Sequence, residues 1–172
     1  MLYYNKLKEK MKDKLKYIKG LLRLAMGWIF LWAFLDKVFG LGFATPIDKS
    51  WLVGTSPTLG MLKFGTSGPF KGVFQAMAGL QIIDWVFMLG LLLVGIALIL
   101  GIASKLATTG GITILLLIYL SILPPEHNPL IDEHIIYILT LLLLYANGAS
   151  HSLGFGKRWE EIKIVKKYSN LK

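Results

Sequence analysis

A handful of ionisable side chains stand where this chain passes between polar segments and long apolar runs: Asp36 with Lys37, Asp84, and Asp132 with His134. Imidazole titrates near neutral pH, so His134 is the candidate to take or give a proton, with Asp36 or Asp84 as the carboxylate that fixes its tautomer. The ammonium of Lys37 can offset the charge of a small anion. Ser56 and Ser67 stand in two related loop words, GTSP at 54–57 and GTSGP at 65–69, with Thr58, Lys63 and Lys71 close by. Each word reads as a hydroxyl cap with proline just inside a short helix, and helix N-termini turn free N–H groups toward an anion. Trp28 and Trp32, spaced by four, share the helical face that leads to Asp36; Tyr137 and Tyr145 share that of Leu130, His134 and Leu141. Such walls accept a flat conjugated ring. The competing readings are interfacial ion pairs that set helix depth, hydroxyls that only cap, and aromatic stripes that only pack.

Composition removes several chemistries. The chain has no cysteine, which excludes disulfides, thiolate nucleophiles and cysteine-ligated iron–sulfur clusters. His151 lies seventeen residues beyond His134, at the opposite surface, so bis-histidine haem is not expected. Glu126, His127, Asp132 and His134 match no closed metal site by spacing, so no metal is expected. No glycine-rich dinucleotide fingerprint follows a strand, and flavin is not expected by that route. The net charge of +9 comes without any nucleic-acid signature; its basic residues flank apolar runs, which suits a membrane surface.

The elements that must position these groups follow from hydropathy. With 172 residues, 55% of them hydrophobic, and a mean hydropathy of +0.60, the expected class is an all-α polytopic membrane four-helix bundle. Residues 1–20 hold seven lysines against Glu9 and Asp13. Leu7, Met11, Leu15 and Ile18 fall at helical spacing there, so the segment reads as a basic amphipathic helix on an anionic leaflet or as a solvated tail. The transmembrane domain is placed at 21–153, with spans at about 21–39, 85–103, 106–123 and 129–149. Arg23 is expected to anchor lipid phosphate or the tail, with an inward-facing role as the alternative. Gly42-Phe43-Ala44 offers a signal-cleavage spacing, but the long basic region and Asp36-Lys37 argue for a retained span. The second and third spans form a tight hairpin. The fourth begins at Asn128 as N-cap and Pro129 as first helical residue. The outer connection, 40–81, is too long to be structureless and is expected to form a cap of two short helices. A second basic tail occupies 154–172. The two ends and Lys105 carry the positive excess, whereas 124–133 is acidic. The positive-inside rule therefore places both termini in the cytoplasm of a multi-pass cell-membrane protein.

The stretches RLAMGWIFLWAFLDKVFG at 23–40, WLVGTSPTLGMLKFGTSGPFKGVFQ at 51–75, PPEHNPLIDEHIIY at 124–137 and GFGKRW at 154–159 resemble the DoxX-like membrane family. They are most similar to its DoxD branch, the large subunit of thiosulfate:quinone oxidoreductase. The resemblance spans roughly residues 20–160. It implies oxidation of thiosulfate or a similar small sulfur anion, membrane quinone as electron acceptor, and a small DoxA-like companion subunit. On that reading His134, Asp36 and Asp84 form the catalytic set. Lys37, Ser56, Thr58, Ser67, Lys63 and Lys71 bind the anionic substrate, and Trp28, Trp32, Tyr137 and Tyr145 bind the quinone. The lipid bilayer is the obligatory partner, and a homo-oligomer is a further one. The alternatives are a non-catalytic scaffold or assembly subunit and a small-molecule binder or carrier of the same fold.

Overall fold

The computed structural model describes residues 1–171; Lys172, the last residue of the basic carboxy-terminal tail, and the side chains of Leu2, Asn5 and Lys6 lie outside the described part. The described chain is helical. Helix α1 runs unbroken over Leu2–Phe39, about 57 Å at 1.5 Å per residue. The segment read as a basic amphipathic helix at 1–20 is helical from Leu2 and runs into the span at 21–39 as one continuous helix, with no helix breaker before Gly20. Helix α1 ends at Gly40, whose φ of 64° lets its N–H return to the Asp36 carbonyl at 2.8 Å. Only glycine takes that conformation without strain.

A loop carries short 3-10 turns at Ile47–Lys49 and Trp51–Val53, a π turn at Met61–Gly65 and the six-residue helix α2, Lys71–Ala76. Helix α3 follows at Gln81–Leu100, α4 at Ser104–Ser121 and α5 at Glu133–Ala146. Short helices α6, Gly156–Glu161, and α7, Lys163–Lys167, close the chain. Helices α1, α3 and α4 are long and apolar enough to cross a membrane, and α5 is a shorter apolar helix of 14 residues. The hairpin between α3 and α4 turns at 101–103 rather than at Ser104-Lys105, since Gly101 caps α3 with a φ of 70°.

Helix α5 corrects the expected start at Asn128-Pro129. Asn128 Oδ1 accepts from the amides of Leu130 and Ile131, which closes a local turn, and Asp132 is the N-cap, accepting from the amides of His134 and Ile135. Leu130 consequently leaves the stripe of His134, Tyr137, Leu141 and Tyr145. Two good capping residues stand four apart, and the later one has the apolar run directly behind it.

Helix α1 packs on α3, α3 on α4, and α4 on α5, with α5 returning to α1. Met26, Phe30, Met88, Leu91, Val94, Leu98, Leu115, Leu141 and Leu144 form the core. Close approach is bought by small residues: a Cβ on Gly95 would lie 2.7 Å from the backbone nitrogen of Leu31. At the α1 end where the long helix leaves the bundle, Arg23 is buried and bonded to five carbonyls. Its Nη1 donates to Leu98 and Ile99, Nε to Ala149, and Nη2 to Ser152 and Leu153. Arg23 thus ties α1 to the end of α3 and to the turn after α5, rather than reaching lipid phosphate.

Gly95→Ala is expected to lower unfolding stability by about 1–3 kcal/mol, because backbone cannot yield to the new methyl. Gly72→Ala, with no atom within 4 Å of the added carbon, is expected to cost nothing or to stabilise by up to about 1 kcal/mol. Thermal unfolding of the purified chain in detergent compares the two.

Candidate functional site

The end of the bundle opposite Arg23 gathers the charged groups singled out by sequence, but in three separate settings. Asp36 sits in the last turn of α1 and is buried; its two carboxylate oxygens accept from the amides of Phe43 (3.3 Å) and Ala44 (3.1 Å). The carboxylate therefore folds the loop back over the helix end. Lys37, one residue on, is part-buried, and among the described residues its ammonium has no hydrogen-bond or ion-pair partner. Backbone geometry puts neighbours in a helix about 100° apart, which explains why Asp36 turns under the loop while Lys37 turns toward α3 and α4.

Asp84 lies in the first turn of α3, where the helix dipole favours a carboxylate. It is buried, and its Oδ1 accepts from the Ser56 hydroxyl at 2.7 Å, the Thr58 hydroxyl at 2.5 Å and the Thr58 amide at 3.3 Å. Ser56 also accepts from the Leu59 amide at 3.1 Å, the capping role read from the first loop word. The second word does not repeat it: α2 has no side-chain cap, and Ser67 is exposed with its amide donating to the Ser121 carbonyl. The two words thus build different structures because Asp84 stands opposite only the first. Ser56 and Thr58 are turned to a carboxylate, an arrangement that repels an anion. Lys63 and Lys71 are exposed on the outer surface, Lys63 over the ring of Phe64.

His134 stands in the first turn of α5 with Nδ1 2.7 Å from Asp132 Oδ2. The carboxylate that orients the imidazole is therefore its own helix cap, not Asp36 or Asp84, both of which are committed elsewhere. A partner two residues away needs no tertiary contact, and the local pair wins. Burial by itself would raise the Asp132 carboxyl; the side-chain bond and charge of His134 and the amides of Ile135 and His134 outweigh it and hold the group below the ordinary carboxylate value. Asp132, Glu133 and His134 also bring ligand atoms within 4.8 Å of one another. Asp132 there is already bonded three times as cap and imidazole partner, which leaves little for a metal.

Two cavities meet at Lys37. One is an open cleft of about 440 Å³ lined by Trp28, Ile29, Trp32, Ala33, Asp36, Lys37, Phe43 and Ala44. Its wall is a run of rings: Trp28 and Trp32 are 5.5 Å apart between centroids, and Phe43 meets Trp32 edge-on at 5.1 Å. The other, about 200 Å³, lies under the loop between α3 and α4, with Thr58, Met61, Leu62 and Phe74 above and Phe87, Ile114 and Leu117 below. Lys37 lines both; His134 lines neither. Tyr137 packs on the core and Tyr145 is exposed beside a small void near Arg23, so the tyrosines do not face the tryptophans across a common gap. The second cavity left no signal in the sequence, since its lining is drawn from apolar positions that look like any other span residue.

Fold and site define an all-helical protein with helices apolar enough to cross a membrane and a lysine set between two cavities at one bundle end. No family model, curated protein or solved structure matches the chain.

The low Asp132 carboxyl gives a pH dependence with a definite sign. A group whose folded pKa is depressed stabilises above its unfolded value, about 3.9, and that contribution is lost as pH falls through the folded value. Acidification from about pH 6 to pH 2.5 should therefore lower the thermal midpoint more in the parent chain than in Asp132→Asn. Equal acid sensitivity would show that the cap and imidazole bonds contribute nothing.

Proposed function

We propose that the chain is the membrane subunit of a DoxD-like quinone-linked oxidoreductase, a four-span bundle in which α5 completes the set and both termini face the cytoplasm. The reaction couples two thiosulfate ions, each losing one electron as an S–S bond joins them, to a quinone that gains two electrons and two protons. The observation that carries this reading is the position of Lys37, a donor with no hydrogen-bond partner among the described residues, at the junction of an aromatic cleft and a buried recess.

A quinone dissolves in lipid and has to reach its site sideways, and the cleft lies open on the outer face of α1, where Trp28 is half exposed. Its ring stacks on Trp28, Trp32 and Phe43. One quinone oxygen takes a hydrogen bond from the Lys37 ammonium, which offsets the negative charge that grows there as electrons arrive. Asp36, fixed by its two loop amides, keeps the floor of the cleft in place. The polar reductant approaches from the exposed Phe43–Ala44 edge, with Lys37 again offsetting its charge. Lys63 and Lys71 add positive potential to the outer surface. A small companion subunit would supply groups that this chain does not bring together.

A second reading, a lipophilic-molecule binder without turnover, is favoured by one fact. The loop hydroxyls Ser56 and Thr58 bond to Asp84, so no enclosed anion cradle is assembled.

Thiosulfate-dependent reduction of decylubiquinone by the purified chain, with and without a companion, separates the readings. The oxidoreductase reading expects turnover that falls about 10²-fold in Lys37→Met, the usual scale for losing one charge-stabilising donor. It also expects a raised quinone KM in Trp32→Ala and little change in Lys71→Ala. Quenching of tryptophan fluorescence by quinone without any reduction would favour the binder.

A further inference from the structure

The amino-terminal half of α1 leaves the bundle as a helix that touches almost nothing. Tyr4, Leu7, Met11, Leu15, Ile18 and Leu22 recur at three- and four-residue steps and are all 39–68% exposed. They therefore form an uncovered apolar stripe. Continuing the same helical face into the bundle leads to Ala25 and Ile29, which are exposed on the outside of the span, whereas Gly20, Arg23, Met26, Gly27 and Phe30 are buried toward the other helices. The stripe and the lipid-facing side of the span are one face of one helix.

Charge borders this stripe on both sides. Lys8, Lys12 and Lys19 fall along one edge and Lys10 and Lys14 along the other, with Glu9, Asp13 and Lys16 on the far side. Among the described residues the helix is pinned to the bundle at its base, where Lys19 donates to the Asn147 carbonyl at 2.7 Å and Gly20 packs against Leu153. Exposed Lys157, Arg158, Lys163, Lys166 and Lys167, against Glu160 and Glu161, lie in the tail that returns to this same end, so the surface beside the stalk is predominantly basic.

We infer that this helix is a binding site for an anionic phospholipid leaflet, reached by tipping outward about the turn ahead of Lys19. The direction follows from the continuity of the stripe. A helix rising from the membrane with its apolar face turned away from the bundle presents that face to the bilayer when it tips outward; tipping inward would lay its charged face on the bundle end instead. The bordering lysines then extend their stems over the apolar face's margin and reach headgroup phosphates, the arrangement of interfacial amphipathic helices. Pairing of two copies along the stripe would set like charges against each other at both borders, which is unfavourable. The juxtaposed basic tail adds to the attraction for the same leaflet.

The absence of cysteine makes the test direct. Single-cysteine variants Leu7→Cys, Met11→Cys and Leu15→Cys, with Glu9→Cys and Asp13→Cys as polar-face controls, are spin-labelled in the full chain. The chain is then reconstituted in nanodiscs of phosphatidylcholine alone or with phosphatidylglycerol. On anionic discs, collisions with a water-soluble nickel chelate should fall at least threefold at positions 7, 11 and 15 and those with oxygen should rise, while positions 9 and 13 stay accessible. Both changes should disappear in about 0.5 M salt, where screening shortens to a few ångströms, and when Lys8, Lys10, Lys12 and Lys14 are changed to Gln together. Labels equally accessible on both discs, or equally protected on both, would overturn the inference. So would protection accompanied by spin–spin broadening between copies, which would assign the stripe to a second chain.

Discussion

A buried guanidinium ties the first apolar helix to the end of the second and to the turn that follows the last. Arg23 stands in an apolar stretch of α1, buried, and each of its donor nitrogens ends on backbone carbonyl oxygen from the close of α3 or the turn after α5. Helix C-termini leave carbonyls without partners and carry the negative end of the helix dipole. Inside a bilayer no water is available to satisfy them. One planar side chain with five N–H bonds meets that need at two helix ends at once, and the carbonyls in turn replace the water that the cation has lost. Gly101, Gly154 and Gly156 crowd this cage so closely that a Cβ on any of them would strike Arg23 or the Ser150 carbonyl at 2.6–3.1 Å.

The other end of the bundle solves the converse problem with the opposite charge. Asp36 and Asp84 are buried carboxylates, and both are met by amides or hydroxyls from the loop at 43–58. The loop is thereby drawn onto the helix ends, which creates the aromatic cleft and the recess beneath it. Because the two aspartates are consumed in folding that loop, Lys37 is left as the ionic group with an open valence. Arg23, Asp36 and Asp84 spend their bonds on the fold, and Lys37 faces both cavities.

The sequence made some of this readable and hid the rest for identifiable reasons. The apolar runs that become α3 and α4 are long and nearly free of charge, and Gly101 closes the first, so their existence and their hairpin were plain. The basic segment at 1–20 and the span at 21–39 form one helix because a change in composition from basic to apolar is not a change in backbone preference: lysine, leucine and methionine are all helix formers. The start of α5 was read four residues early because Asn128-Pro129 and Asp132 are both sound local signals. The partners of Arg23 were the largest omission. They are carbonyls, which every residue carries, so no side-chain type at 98–99 or 149–153 points back to Arg23. The same limit applied to His134, where a distant carboxylate was sought and the adjacent Asp132 already served.

The cage around Arg23 admits a direct measurement. Arg23→Met keeps the length and apolar stem of the side chain and removes every donor. If the carbonyls depend on the guanidinium, this variant should lose at least about 3 kcal/mol of unfolding free energy in detergent, Arg23→Lys should regain only part of it, and added methylguanidinium should restore stability to Arg23→Ala. Full stability in Arg23→Met would contradict the account.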